Sequence, residues 1–151
     1  MEWLAPLESF GPVAALKTSF YVYPLVNALH ILAIGAVVTS VLLMDLRLLG
    51  AFRTVERAPF SALLRRVALV AFAVAVATGL MLFSIRARDY AGMPVFLAKM
   101  ALIALAGANF VLMTRLEAAR AAPSAAMKAS ATTSMLLWVS VLVCGRFVGF
   151  L

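Results

Sequence analysis

The sequence predicts an all-α integral membrane protein, a bundle of four transmembrane helices with a short N-terminal interfacial helix. Of the 151 residues, 66% are hydrophobic and 13% are charged, whereas soluble domains are about half apolar and a quarter charged. The apolar residues form four runs long enough to cross the hydrocarbon core, which takes about 20 residues. Four such spans account for nearly the whole chain, so we expect a single membrane domain over residues 1–151.

The predicted elements follow in chain order. Residues 3–19 are broken by proline and place apolar side chains such as Trp3 and Phe10 where they can lie at the membrane interface; we do not expect this segment to be cleaved. The predicted spans cover about 20–49, 62–85, 95–113 and 129–151. The first span is longer than one hydrocarbon thickness, so we expect it to tilt or protrude.

The basic residues orient the chain. The net charge of +7 comes from Lys and Arg between the apolar runs, where basic loops set membrane topology, so we exclude a nucleic-acid partner. Eight of the 13 lie in or near the first and third connections: Arg47, Arg53, Arg57, Arg65, Arg66, Arg115, Arg120 and Lys128. The positive-inside rule then places both termini outside.

One stripe of the first span is polar. His30, the only histidine, lies within it, and an imidazole in hydrocarbon is costly enough to need a partner. Asn27 precedes His30 by three residues, and Asp45 returns to the face of Asn27 eighteen residues later, at about 100° per residue. We expect this stripe to face the bundle interior, because lipid cannot satisfy its polar groups.

A polar cluster is predicted in the outer half of the bundle. Counting about 1.5 Å per residue places His30 roughly 12 to 15 Å deep, with Lys99 shallower and Arg146 near the outer end of the fourth span. Tyr23 and Asn27 share this half. No Asp or Glu lies in the outer half of any span, so the two cations lack an acidic partner.

Two interpretations of this cluster remain open. Lys99 and Arg146 could extend to lipid headgroups while His30 forms an internal hydrogen bond. Alternatively, the cluster binds an anionic cofactor: the iron of a b-type haem would take His30, and its two propionates would take the cations. Because the chain has one histidine, a second axial ligand would be a methionine, Lys99, the His30 of another copy, or absent.

Asp45, Arg47 and Asn109 are predicted to form a structural polar cluster in the inner half of the bundle, with Arg65 and Arg66 as further partners for Asp45. We find no paired His or Cys at metal-binding spacing and no Ser-His-Asp set, so no catalytic residue is predicted. The single cysteine, Cys144, excludes an intrachain disulfide.

Four segments of the chain resemble a bacterial inner-membrane family whose function is uncharacterised. They are YPLVNALHILAIGAVVTSVLLMDLRLLG at 23–50, ATGLMLFS at 77–84, FLAKMALIALAGAN at 96–109 and LWVSVLVCGRF at 137–147. The resemblance implies a multi-pass protein of the bacterial inner membrane, with both termini periplasmic given the orientation above. More distantly, His30 and Lys99 are similar to positions linked to haem in copper-resistance D-type proteins and the bacterial membrane protoporphyrinogen oxidase.

We therefore expect an inner-membrane protein with an outer polar pocket around His30 that holds haem b or a quinone-like ligand. It would serve as an electron-transfer or membrane-anchor subunit, as a homo-oligomer or within a larger membrane complex. The alternatives are a non-catalytic structural or assembly partner of such a complex and an oligomeric permeation protein for small solutes.

Overall fold

The computed structural model describes residues 19–119 and 123–150, and within these ranges it contains helices and no strand. The helices are α1 Val22–Leu49, α2 Arg57–Ile85, α3 Ala87–Gly92, α4 Pro94–Ala119 and α5 Ala125–Val148. All but α3 are long and apolar enough to cross a membrane, which confirms the predicted all-α class with four apolar helices. The predicted interfacial segment at residues 3–19 lies almost entirely outside the described residues.

Three of the helices extend beyond the apolar runs that predicted them, and one of these, α5, begins at Ala125, not near residue 129. Helix α2 begins at Arg57, not near residue 62, and α4 continues to Ala119, past residue 113. The added turns of α2 and α4 are polar, and an ion pair between Arg57 and Glu117 joins them. A hydropathy run marks only the part of a helix that matches hydrocarbon, so it does not predict helical turns that continue beyond the apolar core.

Local sequence explains where several helices begin and end. Gly50 follows α1 with φ 110°, a left-handed conformation that glycine adopts without strain. Helix α4 opens with Pro94, whose missing N–H would have no helical partner at that position. Ser124 precedes α5, and its hydroxyl accepts a hydrogen bond from the Met127 backbone N–H.

The four long helices form an incompletely closed bundle. Helix α1 packs against α2 and α5, and α4 packs against α5, but no Cα of α2 lies within 8 Å of a Cα of α4. We name the two ends of the bundle by residues: α1 and α4 begin at the Tyr23 end, and α2 and α5 begin at the Glu117 end. Helices α2 and α4 contact each other only through side chains, and both line the cavity described below.

The distribution of side chains fits a lipid environment. The buried positions are mostly small residues: Ala33, Ala68, Ala71, Ala87, Ala106, Ala131, Ser40, Ser130, Ser134 and Thr78. Large apolar side chains such as Leu32, Val70 and Leu136 are exposed. Small residues let helix backbones approach closely where no hydrophobic force acts between helices, and exposed apolar faces on this scale are disfavoured in water. The fold is that of a multi-pass membrane protein.

Candidate functional site

A hydrogen bond joins His30 to the neighbouring helix. The residue lies about two turns inside α1 from the Tyr23 end, and its ring is partly buried. Its Nδ1 is 2.9 Å from Oγ1 of Thr78 on α2. This contact joins α1 to α2 and fixes the orientation of the imidazole.

The hydroxyl of Thr78 also contacts its own helix, with the Val74 carbonyl oxygen 2.7 Å away and that of Ala75 at 3.3 Å. When the single hydroxyl proton is donated to one of these carbonyls, the hydroxyl oxygen accepts from Nδ1–H of His30. In a neutral imidazole, Nε2 then keeps a free lone pair that can accept a proton or bind a metal.

Gly79 provides the space that the His30 ring occupies. A Cβ atom at this position would lie 3.0 Å from Cε1 of His30, closer than an ordinary van der Waals contact. The sequence analysis identified neither Gly79 nor Thr78 as a neighbour of His30. The two residues are adjacent in the segment ATGLMLFS, but nothing in that segment indicates that they contact His30.

Lys99 extends from α4 into the same half of the bundle. Its stem lies against Gly145 of α5, where an added Cβ would be 3.6 Å from both Cε and Nζ of the lysine. Lys99 is close enough to interact electrostatically with His30 and with Cys144. Within the described part of the chain, no carboxylate forms an ion pair with Lys99.

The other predicted members of this cluster lie further from its centre. Arg146 is exposed near the end of α5, and its guanidinium carbon lies 4.4 Å from the centroid of the Phe150 ring. Tyr23 is 43% exposed at the first turn of α1, whereas Asn27 is partly buried one turn before His30. The structure thus brings Lys99 towards His30 and leaves Arg146 and Tyr23 at the edge of the bundle.

An aromatic cluster closes the Tyr23 end between α2 and α4. The rings of Phe83, Tyr90 and Phe96 stack on one another, with centroids 5.4 to 6.4 Å apart. Burial raises the pKa of Tyr90 above its ordinary value, so its hydroxyl is uncharged at neutral pH. The cluster connects α2, α3 and α4 where their backbones provide little contact.

Three residues that were expected to cluster in the inner half instead occupy separate networks. Arg47 donates from Nε to the Val55 carbonyl oxygen at 3.0 Å. Asn109 donates to the Ser130 carbonyl oxygen at 3.0 Å and accepts from the Ser130 hydroxyl at 2.9 Å.

Asp45, the third of these residues, is 7% exposed and hydrogen-bonds Ser134 of α5. The sequence analysis missed Ser130 and Ser134, because a serine facing another helix looks no different in sequence from one that bonds its own helix. It also missed Glu117, which lies beyond the end of the predicted third span.

The described residues contain no group of three or more His, Cys, Asp and Glu side chains that could hold a metal ion by themselves.

Comparison with known proteins adds a family and no function. No curated protein and no solved structure matches the chain. A family model described as a family of unknown function, DUF6644, matches residues 8–151. Because this match covers nearly the full length, the chain belongs to that family.

Proposed function

We propose that this membrane protein binds haem b through Nε2 of His30 and acts as an electron-transfer or anchor subunit of a membrane complex. The observation that supports the proposal is the contact of Nδ1 of His30 with the Thr78 hydroxyl at 2.9 Å; when Nδ1–H is the donor, Nε2 keeps a free lone pair. Haem-ligating and metal-ligating histidines commonly donate their other ring N–H to a neighbouring acceptor, which fixes the tautomer and the ring orientation. Bound haem would supply reversible one-electron chemistry.

Lys99 supports an anionic ligand at the same site. An ammonium group in the outer part of a membrane bundle, with no carboxylate partner among the described residues, favours a ligand that carries negative charge. A haem propionate has that charge. Arg146 lies at the edge of the bundle and would contribute only if it left the Phe150 ring.

A single histidine gives haem one protein ligand per chain. A second ligand would be a methionine, Lys99 or the His30 of a second copy, or would be absent, and these arrangements differ in spin state. A homodimer with two histidine ligands is expected to be low-spin, and a single-ligand site high-spin.

A quinone-like ligand is the second candidate, because His30 and Lys99 could also hydrogen-bond the oxygen atoms of a quinone or quinol. The Nε2 lone pair of His30 can accept a hydrogen bond from a quinol hydroxyl, and Lys99 can donate to a carbonyl oxygen. This ligand is colourless in the visible range where haem absorbs strongly, so one spectrum separates the two.

The test is a visible spectrum of the protein, purified in mild detergent from haem-replete cells, before and after reduction with dithionite. We expect haem bands that sharpen on reduction, that are lost in His30→Ala and that weaken in Thr78→Ala. Thr132→Ala is the matched control, because Thr132 also bonds a carbonyl of its own helix but lies at the Glu117 end.

A colourless wild-type protein would overturn the haem proposal. If its organic extract then contained a quinone that was lost in His30→Ala, the quinone candidate would replace it. If the extract contained none, and His30→Ala lowered only the melting temperature, the site would be structural, as in an assembly partner. A ring of several copies around a polar channel would instead favour the permeation alternative.

A further inference from the structure

A second polar site lies in the other half of the bundle. A cavity of about 200 Å³ is enclosed by α1, α2, α4 and α5 and reaches towards the Glu117 end. Asp45 and His30 are 15 residues apart on α1, about 22 Å along the helix at 1.5 Å per residue, so this cavity is separate from the His30 site. The following inference does not depend on the proposed function.

Two buried polar atoms in the cavity wall have no hydrogen-bond partner. They are Oδ2 of Asp45 and Nε of Arg65, both shielded from solvent. Asp45 as a whole is only 7% exposed. Polar atoms buried in this way are costly when they stay unpaired, and the two here differ in kind: the first accepts a hydrogen bond and the second donates one.

The charges around the cavity balance. Glu117 pairs with Arg65 at 2.5 Å and with Arg57 at 3.8 Å, and Asp45 provides a second acidic group. Two acidic and two basic side chains therefore line the space, and Glu117 already pairs with both arginines, so the wall offers no unpaired excess of acidic or basic side chains to a charged occupant. Most of the remaining wall is apolar and includes the rings of Phe72, Phe110 and Trp138.

The volume fits one substituted six-membered ring. A buried apolar cavity of about 150 Å³ in another protein binds benzene, so about 200 Å³ leaves room for ring substituents. Leu69 and Phe110 line the cavity and are also 53% and 41% exposed, which places its mouth between α2 and α4. This mouth faces lipid because α2 and α4 do not meet there. The occupant therefore enters from the bilayer.

We propose that this cavity binds the ring of an uncharged, lipid-soluble compound with ring hydroxyl groups, the chemistry of a quinol. A hydroxyl donates to Oδ2 of Asp45, and a ring oxygen accepts from Nε–H of Arg65. The ring lies among the aromatic side chains, and any apolar tail passes between α2 and α4 into the bilayer.

The test is a titration of the full chain in nanodiscs with tetramethyl-benzoquinol and, separately, with its dimethyl ether. The ether keeps the ring and loses the hydroxyl donors. In a Trp3→Phe background, Trp138 is the remaining tryptophan and lies in the cavity wall, so its fluorescence reports binding. Empty nanodiscs correct for partition into lipid.

We expect saturable binding of the quinol and at least about tenfold weaker binding of the ether, the size of one charge-assisted hydrogen bond. Asp45→Asn keeps the side-chain volume, and Arg65→Lys keeps the charge towards Glu117 but removes Nε–H. Asp45→Asn should weaken quinol binding by about tenfold and leave ether binding unchanged. Arg65→Lys should weaken the binding of both compounds, because the ether oxygen also accepts from Nε–H. Ala106→Leu, which fills the cavity from α4, should abolish both. Ser84→Ala is the control that should change neither, because Ser84 lies outside the cavity wall and bonds a carbonyl of its own helix.

Equal binding of the quinol and the ether, or binding that does not saturate, would overturn the proposal; water molecules would then satisfy Asp45 and Arg65. The comparison of the two compounds needs only the wild-type cavity, so it remains decisive even if a variant does not fold. Loss of quinol binding in His30→Ala alone would place the compound at the other site and would also overturn the proposal.

Discussion

At the scale of single residues, glycines determine where the polar side chains fit. Gly79 lies against the imidazole of His30, and Gly145 lies against the stem of Lys99. Both positions occur where a bulky polar side chain must pass a neighbouring helix. Gly35, by contrast, has open space where its side chain would be. The sequence lists the glycines, but only the structure shows which of them lie against the side chains of His30 and Lys99.

Gly79→Ala is therefore expected to destabilise the protein, and Gly35→Ala is not. The new Cβ would lie 3.0 Å from a ring that Thr78 holds in place. Overpacking of this kind costs about 1–3 kcal/mol, and alanine recovers up to about 1 kcal/mol through its higher helix propensity. We expect a net loss of about 1 kcal/mol, measured as a lower melting temperature in detergent. Equal melting temperatures for the two variants would show that the ring moves aside freely.

At the scale of helices, hydrogen bonds and ion pairs of polar side chains stabilise helix pairs that would otherwise associate only weakly in lipid. Asn109 of α4 and Ser130 of α5 exchange two hydrogen bonds, with the Ser130 backbone carbonyl as one of the acceptors. Glu117 bridges α4 to two arginines of α2. The sequence indicated that Asn109 needs a partner inside the bundle, but its partner comes from the fourth span and not from Asp45. Depth along a helix is readable from sequence, whereas rotation of one helix relative to another is not.

Ser130→Ala should cost about 0.6 kcal/mol, the average measured for hydrogen bonds between membrane helices, and no more than about 1.7 kcal/mol, the largest value found. The substitution removes the hydroxyl that Asn109 accepts from. Ser84→Ala is the control: Ser84 is also buried, but its hydroxyl bonds the Met81 carbonyl of its own helix. Chemical denaturation of the two variants side by side provides the measurement. A loss in Ser84→Ala as large as that in Ser130→Ala would contradict a specific contribution from the bond between helices.

At the scale of the whole molecule, the arrangement of the four helices leaves one side incompletely closed. Helices α2 and α4 are joined near one end by the Arg65–Glu117 ion pair and near the other by the stacked rings of Phe83 and Phe96. Between these two contacts their backbones stay apart. A gap bounded in this way gives lipid-soluble molecules a lateral path to the interior.

The positive-inside rule also makes a whole-molecule prediction. The 50–56 loop at the Glu117 end is expected on the cytoplasmic side, and residues 86–93 at the Tyr23 end on the outside. In a Cys144→Ala background, Gly92→Cys should react with a membrane-impermeant maleimide in intact spheroplasts. Thr54→Cys should react only after permeabilisation; both positions are exposed. The reverse pattern would invert the orientation, and labelling of both from outside would contradict the four-span topology.

The sequence by itself determined the all-helical class of this protein, its four long apolar helices and the position of each polar residue along its helix. These properties depend on composition and on distance along a helix, which are local and additive. The tertiary structure decided which polar groups meet: Thr78 with His30, Ser134 with Asp45, Glu117 with Arg57 and Arg65. Apolar helices in lipid carry almost no signal of which face turns inward, so rotation and neighbour choice follow from small residues and hydrogen bonds that become specific only when the helices pack.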